Sequence, residues 1–360
     1  MLTLKTLSLI QFRNYIQKHF EFTARIVGIV GANGTGKTNI LDAIYYLSFT
    51  KSYFNRPDAQ NVHHAHQGMR IQGQYNINNE AFPITCIVRE TGKKEFYYDE
   101  TLYTKLSQHI GKIPAVMIAP DDVQIITGTS EERRKLIDTL LSQIDSDYLH
   151  LLIQYNKVLQ QRNSLLKWSA EQGQMDETLL ATLNQQLIQF GNPIFEKRKQ
   201  ILNEWLPMIH ALYQSIAGGT DLIEIKYLST LQDQSFETLL QNNLQKDKAI
   251  QRTSVGIHKD DLIITLQNQS FKQEASQGQR KSLLFAIRLA EWELLKKSKA
   301  CDPILLLDDI FEKLDEQRMA HLLAWVSSST NGPVFITDTH KARVADLLGK
   351  YVENYQLIEL

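Results

Sequence analysis

The stretch GIVGANGTGKTN, residues 28–39, constrains the fold of this chain more than any other segment. Residues 31–38 match the pattern G-x-x-x-x-G-K-[ST], in which glycines allow backbone N–H groups to turn towards phosphate oxygens. An apolar run at residues 26–30 precedes the motif, and apolar residues follow it at helical spacing. The sequence therefore predicts a strand, a phosphate-binding loop and a helix in succession.

The residues of this loop have separate predicted roles. The backbone surrounds the phosphates, and the N-terminus of the following helix adds a favourable dipole. Lys37 is predicted to reach the terminal phosphates and to assist catalysis, and the Thr38 hydroxyl is predicted to bind Mg²⁺. The backbone positions are Gly31, Ala32, Asn33, Gly34, Thr35 and Gly36.

Composition limits the class of protein. The chain has 360 residues, of which 43% are hydrophobic and 22% charged, so it is long enough for a large core and two lobes. No apolar run has the length of a membrane span, so we expect a cytoplasmic protein without a membrane partner. The net charge of −1 means that any contact with nucleic acid must use a local basic patch. Cys86 and Cys301 are expected to be free thiols.

Hydrophobic periodicity divides the chain into three parts. Residues 1–128 are predicted to form the first part of a P-loop ATPase lobe, including an antiparallel sheet over residues 69–98. Residues 129–215 show helical periodicity throughout, with a capping box at Thr129 and Glu132 and an interruption near Gly191-Asn-Pro193. Residues 216–360 return to strands and complete the ATPase lobe. The predicted fold class is α/β, with mixed sheets and an inserted all-helical lobe.

Two adjacent carboxylates follow an apolar strand near the C-terminus. The sequence ILLL at residues 304–307 runs directly into Asp308 and Asp309. A P-loop fold places its Mg²⁺ ligand at such a strand end, so Asp308 is predicted to bind the metal directly or through water. Asp309 is predicted to act as general base towards the attacking water. The alternative is a strand that leaves the core through an acidic turn, and the loop at residues 31–38 makes this alternative still less favoured.

A second anion site is predicted where residues 276–279, SQGQ, open an amphipathic helix. The hydroxyl of Ser276, the N–H of Gly278, the side chain of Gln279 and the helix N-terminus could together hold a phosphate. For these four residues alone, an ordinary helix cap followed by a polar turn would be the preferred interpretation.

In their order along the chain, these segments resemble the ABC-type ATPases, in which the S-x-G-Q helix of one subunit covers the γ-phosphate held by the loop of another. Seven blocks resemble the RecF family of bacterial recombination mediators more closely, and together they extend over nearly the whole chain. They are LSLIQFRNY (7–15), GANGTGKTNILDAIYYL (31–47), APDDVQIITGTSEERRKLID (119–138), YNKVLQQRNSLLK (155–167), VGIHKDDL (255–262), SQGQRKSLLFAIRLAE (276–291) and PILLLDDIFEKLD (303–315).

The resemblance implies an ATP-dependent DNA-binding protein with an ABC-type ATPase head. Such a protein would bind ATP and Mg²⁺, form a homodimer on ATP, and bind single-stranded, gapped or junction DNA. It would work with RecO and RecR mediators in recombinase loading, recombinational repair, replication restart and SOS induction. The family hydrolyses ATP weakly, which fits Asp309, because this side chain is one methylene shorter than the usual Glu.

The resemblance also implies further site residues, several with an ordinary alternative. Arg13 and Asn14 would border the nucleotide, although a surface turn is the alternative. Gln124 would touch Mg²⁺, although a solvent-facing glutamine is equally compatible. Asp315 would contact the nucleotide across the dimer, but Glu312-Lys313 departs from the Ser-Glu usual before it. Either His340 or Asp338 would stand in the position of the γ-phosphate sensor.

Three clusters of polar residues are open to interpretation. Residues 133–135, RRK, could contact DNA phosphates or form a solvated helix face, with Lys51, Arg56 and residues 196–199 as weaker candidates. The histidines at positions 63, 64 and 66 fit a solvated loop better than a metal site. Residues 258–260, HKD, are family-like but have no independent physical role.

Two functions of other classes share the nucleotide motifs. One is the ATPase subunit of a membrane transporter, against which the FRNY block and the strand-rich first lobe argue. The other is a chromosome-organising ATPase with long coiled-coil arms. A helical insert of fewer than a hundred residues, without a C-x-x-C hook, fits such arms poorly.

Overall fold

The computed structural model of the chain describes residues 1–54, 56–218, 221–310 and 316–360. The strands in these ranges are β1 (Leu2–Phe12), β2 (Tyr15–Glu21), β3 (Ile26–Val30), β4 (Met69–Ile77), β5 (Glu80–Val88), β6 (Lys94–Tyr98), β7 (Thr101–Leu102), β8 (Ala115–Ile118), β9 (Ile223–Leu228), β10 (Asp261–Leu266), β11 (Gln269–Ser270), β12 (Ile304–Leu307), β13 (Val334–Asp338) and β14 (Tyr355–Glu359). The helices are α1 (Lys37–Phe49), α2 (Asp58–Asn61), α3 (Gln124–Thr127), α4 (Ser130–Ile144), α5 (Ser146–Gln172), α6 (Glu177–Ala217), α7 (Phe236–Asn242), α8 (Leu244–Ile250), α9 (Phe271–Glu274), α10 (Gln277–Ser298), α11 (Glu316–Ser329) and α12 (Lys341–Tyr351).

The chain forms two compact units. Unit 1 consists of Met1–Val123, Ala211–Thr220 and Ser276–Leu360, and unit 2 consists of Gln124–His210 and Asp221–Ala275. Residues 221–275 therefore group with the helical segment, whereas the sequence assigned them to the ATPase part. The physical reason is that β9 to β11 form a separate sheet against which α4 and α9 pack.

Unit 1 contains a five-stranded parallel sheet with the order β14-β3-β13-β12-β8. Four of its strands, β3, β8, β12 and β13, are buried along their whole length, as is expected of parallel strands covered on both faces. Because parallel strands end at the same edge, the loop after β3 and the acids after β12 meet there.

Unit 1 also contains a six-stranded antiparallel sheet with the order β2-β1-β4-β5-β6-β7. This confirms the antiparallel sheet expected at residues 69–98. Helix α1 is buried on almost every side because it contacts strands of both sheets. Gly73 of β4 permits its close approach, since a Cβ atom there would lie 2.8 Å from Cδ1 of Leu47.

Unit 2 contains the long helices α4, α5 and most of α6, the short helices α3, α7, α8 and α9, and the antiparallel sheet β11-β10-β9. Two arginines are buried in it with acidic partners. Nη1 of Arg162 lies 2.7 Å from Oδ2 of Asp247, and Nη1 of Arg198 lies 2.8 Å from Oδ2 of Asp260. In the described ranges of both units, no helix is long and apolar enough to cross a membrane.

Two local predictions in the helical segment are wrong. Helix α6 is continuous through Pro193, and Gly191 packs directly on aromatic rings, where a Cβ atom would lie 2.6 Å from Phe236. Burial of the neighbouring side chains offsets the hydrogen bond that proline removes. The capping box at Thr129 is also absent. Thr129 precedes α4 without a side-chain hydrogen bond, and Arg133 holds this turn by donating to the carbonyl of Gly128 at 3.4 Å.

Candidate functional site

The phosphate loop connects β3 to α1 in unit 1, as its sequence predicts. Gly34 and Gly36 have φ values of +83° and +108°, a conformation that side chains other than glycine rarely adopt. At Gly36 a Cβ atom would also lie 2.5 Å from Nδ2 of Asn14. Backbone conformation and close packing therefore both require glycine here.

The side chain of Lys37 folds back on the loop, so the positive charge of its ammonium group lies there. Its Nζ atom donates to the carbonyl oxygen of Gly31 at 2.9 Å and to that of Ala32 at 3.0 Å. The side chain is only 5% exposed. An ammonium group fixed at the mouth of a glycine loop is suited to bind phosphate oxygens.

Asn14 and Tyr15, at the turn from β1 into β2, form hydrogen bonds to the phosphate loop. Nδ2 of Asn14 donates to the carbonyl of Thr35 at 2.9 Å, and Oδ1 of Asn14 accepts from Asn39 at 2.8 Å. The hydroxyl of Tyr15 donates to the carbonyl of Gly36 at 3.2 Å. Asn14 thus lies beside the loop, and its contact with the nucleotide stays a prediction.

Arg13 has a different position from its neighbour. Its guanidinium forms an ion pair with Asp42 of α1, and both side chains are almost fully buried. Nη2 also donates to the hydroxyl of Ser52 at 3.1 Å. In this structure Arg13 fixes the helix that follows the loop, and its contact with the nucleotide stays a prediction.

The acid that follows β12 lies against the end of the loop. Oγ1 of Thr38 donates to Oδ1 of Asp308 at 2.9 Å, and Thr337 of β13 donates to the same oxygen at 2.7 Å. Burial raises the pKa of Asp308 to about 6, against the opposing effect of these hydrogen bonds. A hydroxyl and a carboxylate from two elements thus converge on one point.

The second acid has an unusual backbone. Asp309 has a φ of +46°, and its N–H donates to Oγ1 of Thr337 at 2.9 Å. A residue with a side chain rarely adopts this left-handed conformation, so the backbone at Asp309 departs from the extended conformation of β12.

The S-x-G-Q motif forms the start of α10 in unit 1. The hydroxyl of Ser276 accepts from the N–H of Gln279 at 3.2 Å, and Oε1 of Gln279 accepts from the N–H of Ser276 at 2.8 Å. These bonds form a capping box. A Cβ atom at Gly278 would lie 2.9 Å from Nη1 of Arg318, so glycine allows the guanidinium to approach the helix start.

The remaining predicted site residues have separate outcomes. Gln124 is exposed at the start of α3 and belongs to unit 2, so its role as a ligand stays a prediction. Asp315, with the preceding residues 312–314, lies outside the described residues. Asp338 is buried and accepts from Nη2 of Arg343 at 2.7 and 2.8 Å, whereas His340 is exposed.

Comparison with known proteins shows the family to which the chain belongs. The family model described as RecF/RecN/SMC N terminal domain matches residues 3–356. The DNA replication and repair protein RecF of Flavobacterium johnsoniae is 43% identical over 357 residues, which cover 99% of each chain. The chain belongs to the RecF family.

Further members and solved structures extend the comparison. The RecF of Parabacteroides distasonis is 39% identical, with 99% of this chain and 97% of that protein covered. The structure of the recombination mediator protein RecF-ATP in the RecFOR pathway has a TM-score of 0.88 and 28% identity, covering 95% and 93% of the two chains. A Pyrococcus furiosus Smc head, at 15% identity, covers 99% and 93% with a TM-score of 0.57, which shows the fold alone. The predicted ABC-type ATPase head is confirmed.

Four of the eight basic residues that were candidates for DNA contact in this RecF-family chain have partners within unit 2. Arg133 forms an ion pair with Asp261, with Nε 2.6 Å from Oδ1, and Arg134 donates to the carbonyl of Asp260 at 2.7 Å. Arg198 is buried, and Lys197 forms an ion pair with Asp145. Arg133, Arg134 and Arg198 therefore contribute to the fold of unit 2, and contact of any basic residue with DNA stays a prediction.

The family-like HKD segment also has a structural role. Asp260 accepts from Arg198 and from the hydroxyl of Tyr227. Nδ1 of His258 lies 2.8 Å from the hydroxyl of Tyr155. The segment connects β10 to the helices of unit 2 through buried polar contacts.

Sequence reasoning missed Thr337, which contacts both acids. The available signal was a threonine at the end of the apolar strand PVFIT, because β12 and β13 pair in parallel with Leu307 beside Ile336. Once the order of the strands is known, a polar residue at the same end of a neighbouring parallel strand is recognisable as a contact of Asp308.

Proposed function

We propose that this chain is an ATP-dependent DNA-binding protein of recombinational repair. Relatives similar over nearly their full length are named for DNA replication and repair, and one solved relative is a complex of a recombination mediator with ATP. The observation that carries the proposal is the 2.9 Å hydrogen bond from Thr38 to Asp308. It joins the end of the phosphate loop to the strand that supplies the acids, as binding of ATP with a metal ion requires.

The oxygen atoms at this point fit Mg²⁺. A hydroxyl and a carboxylate are hard ligands of the kind Mg²⁺ prefers, and they already lie within hydrogen-bond distance of each other. In the proposal, Thr38 and Asp308 hold the metal with Gln124 as a further ligand, and Lys37 binds the terminal phosphates. Bound Mg²⁺ would neutralise part of the negative charge of the phosphates.

In this proposal, ATP hydrolysis is slow, and it ends the state in which DNA is bound. Asp309 accepts the proton of the attacking water, but its short side chain reaches less far than the Glu usual in ABC-type ATPases. The protein is thus a weak, DNA-dependent ATPase in which hydrolysis times the release of DNA.

The complete nucleotide site requires two copies of the chain. Ser276, Gly278, Gln279 and Asp315 of one copy would contact the nucleotide held by the loop of the other. The capping box presents the N-terminus of α10, where a phosphate is favoured by backbone N–H groups and by the helix dipole. ATP would therefore stabilise a homodimer that closes on DNA.

The cellular role follows from the family. The DNA would be single-stranded, gapped or linear double-stranded, and the partners would be mediators of the RecO and RecR type. Recombinase loading, replication restart and SOS induction in the cytoplasm complete the proposal. The names of the relatives favour this role over a transporter subunit or a chromosome-organising ATPase.

Sedimentation with gapped duplex DNA tests the proposal. We expect dimers that retain DNA when ATP is present and monomers when it is absent. Lys37→Met should lose ATP binding, because the charge at the loop is removed. Ser276→Arg should bind ATP yet remain monomeric, because the new side chain blocks the helix start.

Two outcomes would contradict the proposal. If Ser276→Arg dimerises as the unaltered protein does, the site shared between two copies is wrong. If the unaltered protein retains DNA equally with and without ATP, the nucleotide is not the switch. Titration over a series of salt concentrations separates nonspecific phosphate contacts from recognition of a DNA structure.

A further inference from the structure

Thr337 of β13, in unit 1, contacts both of the acids that follow β12. It is the fourth residue of β13, it is 0% exposed, and its hydroxyl lies between the two acids that follow β12. Oγ1 is 2.7 Å from Oδ1 of Asp308 and 2.9 Å from the backbone nitrogen of Asp309. One side chain from a neighbouring strand thus contacts both residues proposed to act on Mg²⁺ and water.

The chemistry of the groups fixes the direction of both hydrogen bonds. A backbone N–H can only donate, so Oγ1 of Thr337 accepts from Asp309. The single proton of the hydroxyl is then available for Asp308, whose ionised carboxylate can only accept. Thr38 donates to the same carboxylate, so two hydroxyl groups determine the orientation of Asp308.

The bond to Asp309 has a second consequence. Asp309 adopts a left-handed conformation, with φ +46°, which is unfavourable for a residue with a side chain. Such a conformation persists only where surrounding contacts hold it. The N–H bond to a buried threonine of the parallel sheet is a contact of this kind, and it sets the direction in which the Asp309 side chain leaves the strand.

We propose that Thr337 is a positioning residue that orients Asp308 for the metal and Asp309 for the attacking water. This role presupposes the ATPase function proposed above. Groups that orient a metal ligand through a hydrogen bond strongly affect metal affinity, even though they do not touch the metal. Thr337 would therefore act on two measurable steps, binding of the metal with nucleotide and the hydrolysis that follows.

The test compares three substitutions. Thr337→Val keeps the shape of the side chain but has no hydroxyl, and Thr337→Ser keeps the hydroxyl. Thr330→Val is the matched control, because Thr330 is also buried in unit 1 but its hydroxyl contacts Arg25 and the carbonyl of Val326. Metal binding is measured by electron paramagnetic resonance of Mn²⁺ in the presence of ADP, together with single-turnover ATP hydrolysis.

We expect Thr337→Val to weaken Mn²⁺ binding and to slow hydrolysis by about 10-fold to 100-fold each. Binding of ATP in EDTA should stay unchanged, because the loop and Lys37 are intact. Thr337→Ser and Thr330→Val should both resemble the unaltered protein. A loss confined to metal binding and turnover is not expected of a residue that merely fills the core.

The possible failures are distinguishable. If the unaltered protein takes up no Mn²⁺ with nucleotide, the proposed ATPase function fails and the role of Thr337 with it. If it does so and Thr337→Val is indistinguishable from it, or Thr330→Val shows the same loss, only the role of Thr337 is overturned. If Thr337→Val does not fold, Thr337→Ala against Thr337→Ser isolates the hydroxyl, and equal metal affinity in that pair overturns the role.

Discussion

Nη1 of Arg198 lies 2.8 Å from Oδ2 of Asp260, and both side chains are 1% exposed. Arg198 also donates to Asp138 and to the carbonyl of Ile257, so a single guanidinium joins α4, α6 and the segment before β10. A basic residue within the run EKRK thus belongs to the interior of unit 2. Its importance is expected to appear in stability and not in binding of DNA.

Asp260→Ala should destabilise unit 2 strongly. The substitution leaves the buried guanidinium with one acidic partner fewer, and breaking a buried pair from one side costs about 3–5 kcal/mol. Urea denaturation measures the free energy of unfolding. Lys199→Ala, at an exposed position of the same run, is the control and should change it by no more than about 0.5 kcal/mol. Equal effects of the two substitutions would contradict the structural role of Asp260.

Two buried histidines should make stability fall in acid. Burial lowers the pKa of His109 and of His258 to about 4 in each case, from an ordinary value of 6.5. Between these values the unfolded chain takes up protons that the folded chain does not. The free energy of unfolding therefore falls as the pH drops below 6.5, by about 2 kcal/mol per histidine at pH 5.

Denaturation at pH 7 and pH 5 measures this loss. His109→Gln and His258→Gln should each reduce the difference between the two pH values, although both also remove contacts that exist at pH 7. His109 donates from Nε2 to the carbonyl of Leu47 at 2.6 Å, so the difference between pH values, and not stability at one pH, is the quantity to compare. An unaltered difference in both variants would show that other groups control acid unfolding.

Much of unit 1 could be predicted because its signals are local. The loop at residues 31–36, the apolar strands and the acids after ILLL are each defined by neighbours within a few residues. Placing Thr38 near Asp308 required one further rule, that parallel strands end at a common edge. The hydrogen bond of 2.9 Å between them is consistent with that reasoning.

The errors arose where a distant partner decides the outcome. The sequence of a charged run is the same whether its side chains face water or pair with a buried acid. Arg133, for example, pairs with Asp261, which lies 128 residues away. Helix α6 continues through Pro193, and the residues beside it pack on later parts of the chain, Gly191 on Phe236 and Phe195 on Tyr227. The role of Thr337 likewise depends on the order of strands in the sheet, which the local pattern does not contain.

Gly36→Ala should lose ATP binding. The residue has a φ of +108°, and the added Cβ atom would lie 2.5 Å from Asn14, which supports the loop. The backbone strain at residue 36 and the collision with Asn14 both oppose the native conformation. We therefore expect the loop to change its conformation relative to the ammonium group of Lys37. Fluorescence titration with a labelled ATP analogue measures the affinity. Gly173→Ala is the control, since its φ of +69° causes strain but no atom lies within 4 Å. Retained affinity in Gly36→Ala would contradict the requirement for glycine.

Tyr53→Phe should destabilise unit 1 although it removes only one oxygen atom. The Tyr53 hydroxyl donates to Asp122 and accepts from Nη2 of Arg288 at 2.7 Å, and Arg288 and Asp122 are nearly fully buried. Without that oxygen, the buried groups on both sides each lose a partner, at a cost of about 1–3 kcal/mol. Tyr97→Phe removes a hydroxyl that lies 3.2 Å from Glu95 in a more exposed setting, so it should cost less than about 1 kcal/mol. Urea denaturation of both variants gives the two values. If Tyr53→Phe lowered the free energy of unfolding no more than Tyr97→Phe does, the prediction that the buried hydroxyl stabilises unit 1 would be wrong.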